Sequence, residues 1–218
     1  MTAPPAFWRW GEPVAPLAAL LARGGLLAVP TESSYALAAD PRNAAGVAAV
    51  YRIKGRDAGK PLPVVVAGPE QLASLGIDPG LPILDALAAL WPAPLTVALP
   101  LARPLPAAAG EATLAVRVPA HAGLRRLLAA LGTPLTATSA NASGGPPLLE
   151  PHGAAELLAG EDAVVVDGGL LPGGAPSTLV ELGPAGLRVL REGAFPVERL
   201  RARLGEAAIG LPPTEEAR

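Results

Sequence analysis

Short apolar runs, separated by segments of helical length, constrain this chain more than any other feature. LLAVP (26–30), LPVVVA (62–67), LTVAL (95–99), TLAVRV (113–118), LTAT (135–138) and AVVV (163–166) each read as a strand. Helices are expected over 13–23, from an Asn43 N-cap to about residue 53, in a short stretch from Pro69, and over 81–90. Further helices are expected over 121–131, stopped by Gly132, over 151–158 and over 197–204. STLVEL (177–182) and LRVLR (187–191) read as a hairpin. Strands alternating with helices define an α/β class, and the hairpin makes the sheet a mixed one. No repeat or linker divides the chain. The expectation is one domain over 1–205, a twisted mixed β-sheet flanked by helices, with 206–218 as a C-terminal tail.

Composition narrows the functions. Of 218 residues, 50% are hydrophobic and 17% charged, so global disorder is excluded. A net charge of −2 supplies no overall basic field for holding nucleic acid. The absence of cysteine removes disulfides, thiolate metal sites and cysteine nucleophiles. Two histidines, His121 and His152, are too few for a histidine-rich metal site, and no metal-binding residue is expected. His121 reads as a first-turn residue of its helix rather than a catalyst. The start MTAPPAFWRW carries no basic segment followed by an apolar one, and prolines break the apolar stretch 86–102. Neither a signal peptide nor a membrane span is expected, and a cytoplasmic location is the default.

Polar residues gather where strands end, which is where open α/β sheets bind ligands. PTESSYALAADP (30–41) offers Thr31, Ser33, Ser34 and Tyr35, although such hydroxyls also satisfy turns. KGRDAGKP (54–61) holds both lysines of the chain, Lys54 and Lys60, together with Arg56. Arginine replaces lysine almost everywhere else, so a loop that keeps both lysines suggests an anion site; a solvated basic loop is the alternative. TATSANASGGPP (136–147) presents Thr138, Ser139 and Asn141 ahead of a glycine pair, suited to phosphate contact or to an ordinary loop. Arg117 lies inside an apolar strand and must face solvent or meet an anion. No phosphate-binding P-loop or dinucleotide fingerprint is present.

Taken in order, these segments resemble the YrdC-like family of threonylcarbamoyl-AMP synthases. The resemblance rests on PTESSYAL (30–37), KGR (54–56) with KPL (60–62), WPAPLT (91–96), VRVP (116–119), SANASG (139–144), PST (176–178) and LREG (190–193). It covers roughly residues 14 to 195, and the form it matches is the short, single-domain one. Against the usual pattern, Ser34 stands for a valine, Ala36 for a glycine, and Glu192 for a proline.

The resemblance implies a YrdC-like fold with a concave cationic cleft. It also implies a nucleotidyltransferase that makes L-threonylcarbamoyladenylate and pyrophosphate from L-threonine, bicarbonate or CO2, and ATP. Partner transferase proteins then carry the threonylcarbamoyl group to tRNA, which this chain would meet at most indirectly. Mg2+ would arrive with ATP, with no dedicated protein cage. By motif position, Lys54 and Arg56 would be catalytic. Lys54, Arg56, Lys60, Thr96, Ser139, Asn141 and Arg191 would bind ATP. Thr31, Tyr35, Arg117, Thr138 and Ser177 would bind threonine, with Arg117 on its carboxylate. Glu32 and Asp40 read as structural or water-positioning. The alternatives are an RNA-binding protein of this fold, a paralogue without synthase activity, or a carbamoyl-adenylate enzyme for another acceptor.

Overall fold

The computed structural model describes residues 4–183, 186–205 and 209–210. Their elements run β1 (Ala6–Trp8), α1 (Ala15–Ala22), β2 (Leu26–Pro30), β3 (Tyr35–Ala38), α2 (Ala44–Lys54), β4 (Val64–Val65), α3 (Ile83–Ala88), β5 (Leu95–Pro100) and β6 (Thr113–Arg117). They continue with α4 (Ala122–Leu131), β7 (Leu135–Thr136), β8 (Thr138–Ser139), α5 (Pro151–Leu157), β9 (Ala163–Val166), β10 (Thr178–Gly183), β11 (Gly186–Arg191), α6 (Val197–Leu204) and β12 (Ile209–Gly210).

The strands form two mixed sheets where the sequence suggested one. One has the order β1-β9-β2-β3-β8, the other β12-β11-β10-β5-β6-β4-β7. β2 shows why its run is uninterrupted by polar residues: both of its faces are covered. Leu26 and Ala28 enter a large core shared with β4, β5, β6 and β10, whereas Leu27 and Val29 enter a second core against α1 and α4.

The segment 135–139 passes from one sheet to the other. Leu135 and Thr136 pair antiparallel with β4, and Thr138 and Ser139 pair antiparallel with β3. Ala137, at the step, donates its N–H to the Pro63 carbonyl at 2.8 Å. Thr136 is fully buried, and its hydroxyl accepts from the Ala39 N–H at 2.9 Å.

Local signals set the ends of α2 and α4. The Asn43 side chain accepts from the N–H groups of Ala45 and Gly46, and Gly132 closes α4 in the left-handed region. His121 is the N-cap of α4, its Nδ1 accepting from the Leu124 N–H at 3.0 Å. Several expected elements change. LPVVVA contributes only Val64–Val65 to a ladder, because Pro61 and Pro63 have no N–H to give. The stretch from Pro69 is a 3-10 helix, Pro69–Leu75, and the helix expected over 81–90 shortens to α3. β1 and β3 are strands at positions where the sequence pattern predicts no element. The expected tail is in part a strand: β12 pairs parallel with β11, while 206–208 and LPPTEEAR (211–218) lie outside the described residues. No helix among the described residues is long and apolar enough to cross a membrane.

Candidate active site

A cleft of about 640 Å³ opens between the two sheets. That volume suits a small-molecule ligand, for which sites run about 300–1,000 Å³. One wall is the β2–β3 turn with Thr31, Glu32, Ser33 and Ser34. The other carries Thr96 of β5, Arg117 of β6, and Ser177 and Arg191 beside the hairpin. Arg56, Thr138 and Ser139 also line it.

The three cations of the 54–60 loop have separate fates. Lys54 ends α2 and is 5% exposed. Its Nζ donates to the Ser139 carbonyl at 2.6 Å, to Asn141 Oδ1 at 2.6 Å and to the Asn141 carbonyl at 3.3 Å. Three donors therefore meet three neutral oxygens. The Lys54 carbonyl in turn accepts from the Ser143 N–H at 2.8 Å, which ties α2 to the 139–145 loop. Gly55 lets the chain leave the helix here, with φ of 56° in the left-handed region. Burial first, and then the nearby Arg56 charge, pushes the Lys54 ammonium down to about 8. Arg56 reaches the cleft, its Nη2 lying 3.4 Å from the Pro61 carbonyl. Lys60 is exposed and is not part of the lining.

Asn141 also stays behind the wall. Its Oδ1 accepts from Lys54 and from Ser139 Oγ, and its Nδ2 donates to the Gly145 carbonyl. Tyr35 is buried, and its hydroxyl both donates to the Gly169 carbonyl and accepts from the Gly168 N–H, each at 3.0 Å. Burial raises its pKa, and the phenol is a strut under the cleft rather than part of its surface. Thr31 organises its own turn: its Oγ donates to the Ser34 carbonyl and accepts the N–H groups of Ser33 and Ser34.

Hydroxyls and guanidinium groups converge on the opposite wall. Thr96 Oγ1 and Ser177 Oγ are 2.8 Å apart, and Arg191 Nη2 donates to the Ser177 carbonyl at 2.8 Å. Burial lowers the Arg191 pKa. Gly193 of LREG stands where a Cβ would fall 2.2 Å from the Pro176 carbonyl, so a side chain there would displace the Pro176–Ser177 backbone that leads into β10. Thr178, beside it, donates to the Phe195 carbonyl at 2.6 Å and holds the same turn.

Arg117 meets an anion supplied by the chain itself. Its Nη1 pairs with Glu32 Oε1, the side chains being 12% and 21% exposed. Glu32 Oε2 is buried without a hydrogen-bond partner. Burial pushes the guanidinium down to about 10, so it stays charged at neutral pH. The lining as a whole holds Arg56, Arg117 and Arg191 against Glu32, Glu111 and Glu181, so the expected cationic cleft has mixed charge. Glu181 faces its own partner, Arg188, at 2.6 Å.

The structure thus brings Thr31, Arg56, Thr96, Arg117, Thr138, Ser139, Ser177 and Arg191 to one cavity, and places Lys54, Asn141, Tyr35 and Lys60 outside its surface. Sequence reasoning missed Glu32 as the partner of Arg117. The signal was available in kind, since a buried arginine requires an anion, but not in position.

Guanidinium groups and hydroxyls thus face one cavity between two mixed sheets. The chain belongs to the Sua5/YciO/YrdC family, whose model, described as "Telomere recombination", matches residues 19–193. It is 39% identical to the threonylcarbamoyl-AMP synthase of Thiobacillus denitrificans over 76% of this chain and 89% of that one. It is 35% identical to the threonylcarbamoyl-AMP synthase of Pyrococcus abyssi over 88% of its own length but 57% of that protein's. The fold superposes on P. abyssi Sua5 complexed with L-threonine with a TM-score of 0.80 at 32% identity, covering 94% of this chain and 62% of that one.

Proposed function

We propose that this chain is a threonylcarbamoyl-AMP synthase, joining L-threonine, bicarbonate or CO2, and ATP into threonylcarbamoyl-AMP with release of pyrophosphate. The observation that carries the reading is the convergence of Arg56, Arg117, Arg191, Thr96 and Ser177 on one cavity large enough for both substrates. The relatives named above point to the same reaction.

The chemistry asks little of a side-chain nucleophile. Once the threonine amine has bonded to the carbon of CO2 with loss of a proton, or to that of bicarbonate with loss of water, a carbamate oxygen attacks the α-phosphorus of ATP. The bond from that phosphorus to the bridging oxygen breaks, and pyrophosphate leaves with the electron pair. Two anions must be held together and the developing charge stabilised, which is positioning and electrostatics. Arg56 and Arg191 would take the phosphates, and Arg117 the threonine carboxylate. Thr31, Thr96, Thr138, Ser139 and Ser177 would supply hydrogen bonds. Lys54 and Asn141 would act through the 139–145 loop, Tyr35 through the floor under the β2–β3 turn, and Lys60 as an outer attracting charge.

No group of three His, Asp or Glu side chains placed to hold a metal stands among the described residues. The scattered hydroxyls and guanidinium groups fit a polyanion, so Mg2+ in this proposal enters on the triphosphate and neutralises part of its charge. Downstream, a transferase would carry the product to tRNA.

Mass spectrometry of the product formed from ATP, bicarbonate and a mixture of amino acids tests the reading. Threonylcarbamoyl-AMP with one equivalent of pyrophosphate is expected. Absence of an adenylate, or an adenylate of another amino acid, overturns it.

A further inference from the structure

Arg117 is the residue the proposed function assigns to the threonine carboxylate, yet an internal carboxylate already occupies it. Glu32 comes from the opposite wall, in the turn between β2 and β3, and its Oε1 lies on Arg117 Nη1. The pair is poorly completed on the acid side: Oε2 is buried with no hydrogen-bond partner. A buried acceptor left unpaired is costly, and a carboxylate fully engaged by an arginine fork would use both oxygens. The chain therefore holds its arginine with an anion that a better-fitting carboxylate can displace. Glu32 sits in a turn that closes on itself through Thr31 and Ser34, so its side chain can leave Arg117 without unmaking a strand.

We propose that Glu32 is a placeholder for the substrate carboxylate: it competes with the amino acid for Arg117 and so sets the affinity of the site for carboxylate-bearing substrates. This rests on the reading of Arg117 as the carboxylate anchor. When Arg117 must first be vacated, the apparent dissociation constant exceeds the intrinsic one by the reciprocal of the open fraction. Removing the competing charge raises that fraction. Glu32 is thus a specificity-determining residue whose removal tightens binding, the reverse of what loss of a substrate contact does.

Calorimetry with ATP present, on threonine and on threoninamide, which lacks the carboxylate, provides the test. Wild type should prefer threonine. Glu32→Gln should bind threonine about five- to tenfold more tightly and threoninamide unchanged. Equal or weaker threonine binding by a folded Glu32→Gln protein overturns the placeholder role. If wild type itself does not distinguish the two ligands, the anchor reading of Arg117 fails instead, and the placeholder with it. A measurement on wild type does not depend on the variant folding: the carboxyl 13C resonance of Glu32 should move on adding threonine and stay in place with threoninamide. An unmoved resonance at saturating threonine overturns the proposal.

Discussion

Lys54 and Arg117 are both cations withdrawn from water at the same cleft, and they are satisfied in opposite ways. Lys54 has a complete shell of neutral oxygens, all on the 139–141 segment, and no carboxylate. Arg117 has a carboxylate whose second oxygen is partnerless. A complete shell of backbone and amide oxygens holds a loop in place and offers nothing to a ligand. An incomplete ion pair keeps a charge available for exchange. The retention of lysine at 54 in an arginine-rich chain follows from this: a compact ammonium fits three converging oxygens, and a planar fork does not.

The broadest expected effect breaks the Arg117 side of the comparison. Arg117→Met leaves the Glu32 carboxylate without its partner, removes the proposed threonine anchor, and should cost about 1–2 kcal/mol of stability in urea unfolding, since Glu32 can turn out of the cleft. Adding Glu32→Gln should restore most of the loss. If the double variant is no more stable than the single, the two groups are not energetically coupled.

Arg56 supplies a third case, a cation that lines the cleft with one long contact at 3.4 Å. Arg56→Ala should leave the melting temperature near wild type and slow pyrophosphate release by about a hundredfold, roughly 3 kcal/mol of barrier. A normal rate from a folded variant removes it from the phosphate site.

Lys54→Met should lower both quantities together, because Ser139 and Asn141 lose their shared donor. About 2 kcal/mol of stability is expected to go, the scale of one hydrogen bond to a charged group. A loss of rate without loss of stability would return Lys54 to direct phosphate contact.

Titration sharpens the same contrast. Lys54 is pushed from 10.5 to about 8 in the fold, so between those values the unfolded chain holds more protons. Stability of wild type relative to Lys54→Met should therefore rise with pH over that window, while pyrophosphate release falls as the ammonium is lost above about 8. A flat difference across the window would show that the ammonium is not desolvated. The smallest effect is away from the cleft: His121→Ala removes the α4 cap and should cost about 1 kcal/mol in thermal unfolding.

What could be read from the sequence was what is local. The Asn43 and Gly132 helix ends, the hairpin and the strand-end hydroxyls depend on a few neighbouring residues, and the structure has them as expected. β1 and β3 escape the pattern because AFW is short and YALA follows a run of hydroxyl residues with no apolar alternation to mark it. The division into two sheets escaped because LTAT is one apolar run in sequence and two ladders in space. The residue types of the cleft were legible, since the hydroxyls and arginines singled out at strand ends are among those that line it. Which of them face the cavity was not: Lys54 finds its oxygens 85 and 87 residues away, and Arg117 finds Glu32 across the cleft.

The step at Ala137 has a mechanical consequence. A cleft between two sheets could in principle widen by hinge motion, each sheet moving as a plate. Here one five-residue segment is woven into both plates, with Thr136 clamped to Ala39 on one side of the step and Ala137 fastened to Pro63 at the step itself. Opening the plates would leave each ladder with its own sheet but break the paired Thr136–Ala39 hydrogen bonds that cross the step. The aperture is thus set by a seam rather than a hinge, and adaptation to a ligand is left to what is not sewn in: the β2–β3 turn and the side chains that reach from either rim.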